Sequence, residues 1–283
     1  MAPPLVTRFA PSPTGHLHLG HAHSALAGFR AARETGGRFL LRIEDIDQVR
    51  ARPEYEAAIF EDLAWLGLAW EEPVRRQSEH FDDYRAALAR LEAAGLLYPC
   101  FCTRAEIQAE IARAPSAPQG PDGPLYPGTC RALTADERDR RLARGEPHAL
   151  RLDVAQARAR IGSDLRFEEE GRGPVLARPA LFGDVVLARR DFPASYHLAV
   201  VVDDALQVVS LVTRGEDLFP ATHLHRLLQA LLDLPVPRYR HHALLRDEAG
   251  RRLAKRDGAR AIRELRRQGL SPEEVRRRAG FPD

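Results

Sequence analysis

Residues Arg8–His21 read RFAPSPTGHLHLGH, and the stretch just before and into them, LVTRF at 5–9, is short and largely apolar. That stretch reads as a strand. Pro11, Pro13 and Gly15 then impose a loop, and a helical pattern begins near His18. A strand running through a glycine-bearing loop into a helix start suits phosphate, because backbone N–H groups and the positive end of the helix dipole converge there. Gly15 and Gly20 let backbone approach a ligand closely. His18 and His21 are three apart, so on a helix they share a face and can both donate to phosphate oxygens.

Outward from this loop, residues 37–43 (GRFLLRI) read as a second strand. Residues 52–66 read as a helix, with Pro53 at its start and Gly67 after its end. An amphipathic helix over 82–94 is stopped by Gly95. Trp65 and Trp70 read as core aromatics. From 99 to about 180 the pattern changes: all three cysteines and a Pro/Gly-rich run, 114–128, lie there. Regular patterning returns with a strand at 184–189, a helix at 196–202 and a strand at 207–212, and helices dominate the remainder of the chain. Strands alternating with helices predict a parallel sheet, hence a Rossmann-like α/β fold. The expected organisation is a first catalytic half at 1–98, an insertion at 99–183, a second half at 184–228 and a helical segment at 229–283.

The 283 residues can bury a sizeable core, and a net charge of +2 by itself implies no polyanion partner. The distribution says more. Residues 238–283 hold 13 Arg and one Lys against seven acidic residues, enough to grip a phosphate backbone or simply to form a solvated arginine-rich helix. Lys255 is the only lysine among 42 basic side chains, which marks a position where a compact ammonium is needed and a planar guanidinium will not serve. No apolar run approaches the roughly 18 residues that span a bilayer. The richest, around Val200, is broken by Asp203 and Asp204. The N-terminus carries no secretory pattern, so a cytoplasmic protein with no membrane partner is expected. In that compartment Cys100, Cys102 and Cys130 suggest zinc rather than a disulfide. His148 is the fourth ligand the residues themselves offer, and unliganded buried thiols are the competing reading.

The string His18-Leu19-Gly20-His21 resembles the "HIGH" motif of class I aminoacyl-tRNA synthetases, and the lead-in from Arg8 to Gly15 resembles the glutamyl/glutaminyl group. Arg251–Arg256 (RRLAKR) resembles that family's "KMSKS" loop, with Arg252 for the first lysine, Ala254 for a serine and Lys255 at the second lysine. The resemblance implies ATP with magnesium, met by His18, Gly20, His21 and Lys255, of which the two histidines and the lysine are catalytic. It implies a glutamate pocket of Arg8, Ala10, Ser12, Glu44, Tyr196 and Arg214. Glu44 would hold the ammonium, and the two arginines would meet carboxylates. Val200 departs from the family, which has Asn there, so a polar contact is lost. The resemblance also implies a zinc site of Cys100, Cys102, Tyr126 and Cys130.

Only 27 residues follow Arg256, too few for an anticodon-binding domain. That points to a short, zinc-bearing branch of the family. Its members activate L-glutamate without tRNA and esterify it onto queuosine, at the wobble position of tRNA(Asp). The expected partners are L-glutamate and the tRNA(Asp) anticodon stem-loop, and the expected state is a monomer. The alternatives are a compact synthetase charging a tRNA 3′ end and a non-catalytic tRNA-binding paralogue.

Overall fold

A computed structural model describes residues 4–113, 119–189, 192–245 and 261–282. The Arg251–Arg256 motif with Lys255 lies outside the described residues. The chain opens with β1 (Val6–Phe9), α1 (Leu19–Glu34), β2 (Arg38–Ile43), α2 (Pro53–Trp65), β3 (Glu71–Arg76) and α3 (Phe81–Ala93). Then come β4 (Leu97–Cys100), α4 (Arg104–Arg113), a small hairpin of β5 (Gln119–Gly120) and β6 (Gly123–Pro124), α5 (Ala135–Ala143), β7 (Ala149–Leu152) and α6 (Val154–Ile161). The chain continues through β8 (Arg166–Glu169), β9 (Gly173–Leu176), β10 (Val185–Ala188), α7 (Tyr196–Leu206), β11 (Leu211–Gly215), α8 (Phe219–Leu231) and β12 (Arg238–His242). Two short helices, α9 (Ile262–Arg267) and α10 (Pro272–Arg278), end the described chain.

The fold is the expected parallel α/β arrangement. β1, β2 and β3 pair in parallel, as do β11 and β12. The two groups meet at β1 and β11, where the Ser210 N–H donates to the Val6 carbonyl at 2.9 Å. α1 packs over this junction. A Cβ added to Gly28 would lie 2.9 Å from Thr213 Oγ1, so only glycine lets the helix sit this close to β11. The Thr7 hydroxyl donates to the Gly28 carbonyl at 2.8 Å, fixing the same contact from β1.

Several elements differ from the sequence expectation. The strand at 184–189 exists as β10, but it pairs antiparallel with β7, and β7 with β4, in a separate sheet. An apolar run of this length identifies a strand and not its neighbour. Conversely, β8 and β9, from the atypical region, join the edge of the β11–β12 sheet. α7 runs on to Leu206, and the next strand starts at Leu211 rather than 207. The valines at 208 and 209 read as strand, yet Val208 takes φ 54° in the turn between helix and strand. The segment after 229 is not all helix, since β12 lies in the sheet. Trp65 and Trp70 are half-buried at the margin of the core rather than within it.

Candidate active site

The loop after β1 ends in a side-chain cap. His18 is the N-cap of α1: its Nδ1 accepts the Gly20 N–H at 3.1 Å, and its own N–H donates to Nδ1 of His21, also at 3.1 Å. Both rings accept through Nδ1, so each neutral ring carries its proton on Nε2. The capping that shapes the helix start thereby sets which nitrogen can donate to an anion. The rings lie 3.8 Å apart, centroid to centroid.

A cavity of about 650 Å³ opens in front of this cap. His18, Gly20, His21 and Ala10 are among its lining residues, as are Arg8, Glu44, Tyr196 and Arg214. A second cavity, about 570 Å³, shares Glu44 and Tyr196 with the first and extends past Ser12 toward Asp122 and Tyr126. The structure thus gathers eight of the sequence-predicted residues round one space and puts Ser12 on the adjoining one. Leu245 lines the first cavity, and Ala261 forms a bridge with His18, so the described chain leaves and returns at this site on either side of Lys255.

The charged groups are held by a buried network that motif reading did not reveal. Arg8 makes a side-on pair with Asp204, Nε to Oδ1 at 3.0 Å and Nη2 to Oδ2 at 3.4 Å, and Nη1 donates to the Thr213 carbonyl at 3.3 Å. Among the described residues this leaves one N–H on each terminal nitrogen, donors that a carboxylate can take. Arg42, fully buried, donates to Asp204 at 2.9 Å and lies 3.5 Å from Glu44. Asp203 accepts from Arg75, Gln77 and Tyr84. Burial alone would raise the Asp204 carboxyl, but Arg8 and Arg42 outweigh it and hold it below its ordinary value. Burial raises Glu44 despite the opposing pull of Arg42 and Arg8. A signal for this network was present: an arginine inside the apolar strand FLLRI, and two aspartates after three valines, must find partners if those segments are buried.

Arg214 lies at the end of β11. Its Nε donates to His241 at 3.0 Å, its Nη1 to Tyr196 at 3.4 Å and to His225 at 3.3 Å, and its Nη2 to Thr222 at 2.7 Å. Val200, the departure from the family pattern, is buried in the apolar core round α7 and α8.

The cysteines converge. The three Sγ atoms lie within 4.8 Å of one another. The Tyr126 hydroxyl oxygen is 3.4 Å from Cys100 Sγ and 3.5 Å from Cys102 Sγ, and it accepts the Cys130 N–H at 2.9 Å. Arg151 lies over the Tyr126 ring at 3.8 Å. His148 is not part of this group; its Nδ1 sits 3.0 Å from the Glu146 carbonyl.

Residues 4–280 match the family model described as tRNA synthetases class I (E and Q), catalytic domain. The chain is 53% identical over 286 residues to the glutamyl-Q tRNA(Asp) synthetase of Rhodobacter capsulatus, covering 98% of this chain and 100% of that one. It is 42% identical to the glutamate–tRNA ligase of Aquifex aeolicus, covering 94% of this chain and 54% of that one. Among solved structures, a glutamate tRNA ligase from Elizabethkingia meningosepticum, in complex with its amino acid, aligns with a TM-score of 0.75 at 30% identity, over 90% of this chain and 52% of that one. A methionyl-tRNA synthetase of Mycobacterium tuberculosis, at 12% identity and a TM-score of 0.61, shares the fold.

Proposed function

Because the chain belongs to the class I tRNA synthetase family for glutamate and glutamine, we propose that it activates L-glutamate with ATP, without tRNA, and transfers it to queuosine of tRNA(Asp). The observation that carries this reading is the single cavity where a cation-binding carboxylate, two anion-binding arginines and a histidine-capped helix start face one another. In the first step a substrate carboxylate oxygen attacks the α-phosphorus of ATP and pyrophosphate leaves. Glu44 holds the ammonium, and Arg8 and Arg214 meet the carboxylates. His18 and His21 donate through Nε2 to phosphate oxygens, Gly20 allows their close approach, and Lys255 follows the charge that develops as pyrophosphate departs. Magnesium accompanies the ATP phosphates. In the second step a hydroxyl of the cyclopentene diol attacks the acyl carbon, AMP leaves and an ester forms.

The match to the Rhodobacter glutamyl-Q tRNA(Asp) synthetase, 53% identical over 100% of that chain, against 42% over 54% of the Aquifex glutamate–tRNA ligase, supports queuosine over a tRNA 3′ end as the acceptor. The acceptor is the tRNA(Asp) anticodon stem-loop, bound by a cytoplasmic monomer. No helix among the described residues is long and apolar enough to cross a membrane. The segment from Cys100 to Cys130 fits zinc, since three sulfurs and a phenol oxygen lie together, the four donors that zinc takes. Cys100, Cys102, Tyr126 and Cys130 would hold it, as a structural ion bracing the insertion. The test is ATP–pyrophosphate exchange on the isolated protein. Exchange with glutamate and no tRNA is expected, with glutamine a poor substrate because its side-chain amide carries no charge to pair with an arginine and brings N–H donors where arginine needs an acceptor. Strict dependence on tRNA would contradict the reading.

A further inference from the structure

Behind Arg214, on one side of the cavity, His197, His225 and His241 gather within one hydrogen-bonded group. Arginine can only donate, so its hydrogen bonds fix the tautomer of every ring it meets. Arg214 Nε donates to Nε2 of His241 at 3.0 Å. That ring must then carry its proton on Nδ1, which lies 2.7 Å from Glu169 Oε2. The other Glu169 oxygen accepts the His241 backbone N–H at 2.9 Å, so one carboxylate ties down both the ring and its strand. On the other side, Arg214 Nη1 donates to Nδ1 of His225 at 3.3 Å. The His225 proton therefore sits on Nε2, 3.2 Å from Nδ1 of His197. His197 in turn carries its proton on Nε2, 3.5 Å from Asp122. Two imidazole relays thus run from one guanidinium, each ending on a carboxylate. The first is closed to solvent, with the His241 side chain 0% and Glu169 2% exposed. The second ends in the open at Asp122, on the wall of the adjoining cavity.

We propose that His241 with Glu169, and His225 with His197, are positioning residues that hold Arg214 in one orientation for the substrate carboxylate and so set the affinity for glutamate. The inference rests on the reading of Arg214 as a glutamate contact. Four of the five Arg214 N–H groups are taken by protein among the described residues, so the guanidinium can neither rotate nor slide and its remaining Nη2–H is held at a fixed point. The relays do this without adding positive charge. Burial, helped by Arg214, pushes His241 down to about 2 and His225 well below its ordinary value, so both rings are neutral at working pH. A neutral ring can accept from arginine on one nitrogen and donate to a carboxylate with the other, which a lysine or a second arginine could not do.

Glutamate-dependent ATP–pyrophosphate exchange on the full chain tests this, with thermal melts of each variant. In His241→Phe the arginine loses its Nε acceptor, and the KM for glutamate should rise about 10- to 100-fold, as for a lost hydrogen bond to a charged group. The KM for ATP should stay within about twofold, because no ATP contact is touched. His241→Gln should restore most of the loss: its amide oxygen can accept from Arg214 and its NH2 can donate to Glu169. If His241→Phe does not fold, because Glu169 is left buried without its partner, His225→Leu on the other limb carries the same test. An unchanged glutamate KM in a folded variant would overturn the proposal, as would equal rises for glutamate and ATP, or a Gln variant no better than Phe. A wild-type protein without glutamate-dependent exchange would instead overturn the proposed function, and that is seen before any variant is made.

Discussion

Glu44 is asked both to be largely withdrawn from water and to carry a charge. Burial raises its carboxyl above the ordinary value, and Arg42 and Arg8 reduce that rise without cancelling it. The substrate ammonium stays protonated across the acidic and neutral range, so the partner that titrates is Glu44. Glutamate affinity should be full above the raised pKa and be lost as pH falls through it, at a higher pH than an ordinary glutamate side chain would give. The glutamate KM measured against pH should show this step. In Glu44→Gln the step should vanish and the KM should be raised throughout by about 10-fold or more, as for loss of a buried charge partner. An unchanged step in Glu44→Gln would contradict the assignment. At this scale the sequence was most legible where a motif carries the residue. Arg8, Glu44, Tyr196 and Arg214 could be named through the family resemblance of the motifs that carry them, and one cavity brings all four together. Arg42, His225 and His241 could not be, because their role depends on which side chains face them across distant elements. Arg42 and Asp204, for example, meet only once β2 and α7 are packed together.

α2 carries a polar residue its packing does not satisfy. Asp62 is buried, and its Oδ2 has no hydrogen-bond partner among the described residues. Burial, with Glu61 adding to it, pushes its carboxyl up to about 6 against the pull of Arg263 and Arg266. The folded pKa lies above the unfolded one, so the folded state binds more protons between the two values. Stability therefore falls as pH rises through that window, and the full cost is present at neutral pH. Asp62→Asn should stabilise the protein at pH 7 by on the order of 1 kcal/mol, roughly 2–4 °C in Tm, with the gain disappearing below about pH 4. A lower Tm at pH 7 would show that the charge is needed. At the three cysteines, elemental analysis should find about one zinc per chain, and Tyr126→Phe should bind it on the order of tenfold more weakly while three thiolates keep it. A folded, active protein free of zinc would remove the site. Elements were legible as elements: the helix at α2 was announced by Pro53 and Gly67. Their partners were not, because the apolar run of β10 would suit either sheet.

The last described segment closes the molecule on its first motif. Ile262, Leu265, Val275 and Ala279 are buried in the same core as Phe9, Leu17 and Ala22. The Ile262 N–H donates to the Leu17 carbonyl at 2.8 Å, and His23 meets the Ala279 carbonyl at 2.7 Å. The positive charge of this segment is therefore divided. Arg263 turns inward to His16 and Arg276 to the Leu66 carbonyl, whereas the Arg267 and Arg277 side chains are 64% and 67% exposed. Counting charges gave the sign of this surface, but only packing separates arginines that brace the fold from those that can face a phosphate backbone. The cavity in front of the His18 cap and the adjoining cavity share Glu44 and Tyr196, so on the proposed function an acceptor entering by the second would reach an activated glutamate held in the first. That arrangement suits an unpaired loop base splayed from its stack. The most direct test supplies glutamate, ATP and two preparations of tRNA(Asp), one with queuosine and one with guanosine at the wobble position, and follows labelled glutamate. Transfer to the queuosine tRNA alone is expected, as an ester lost after periodate treatment of the diol. Equal transfer to both, recovered on the 3′-terminal adenosine, would contradict it.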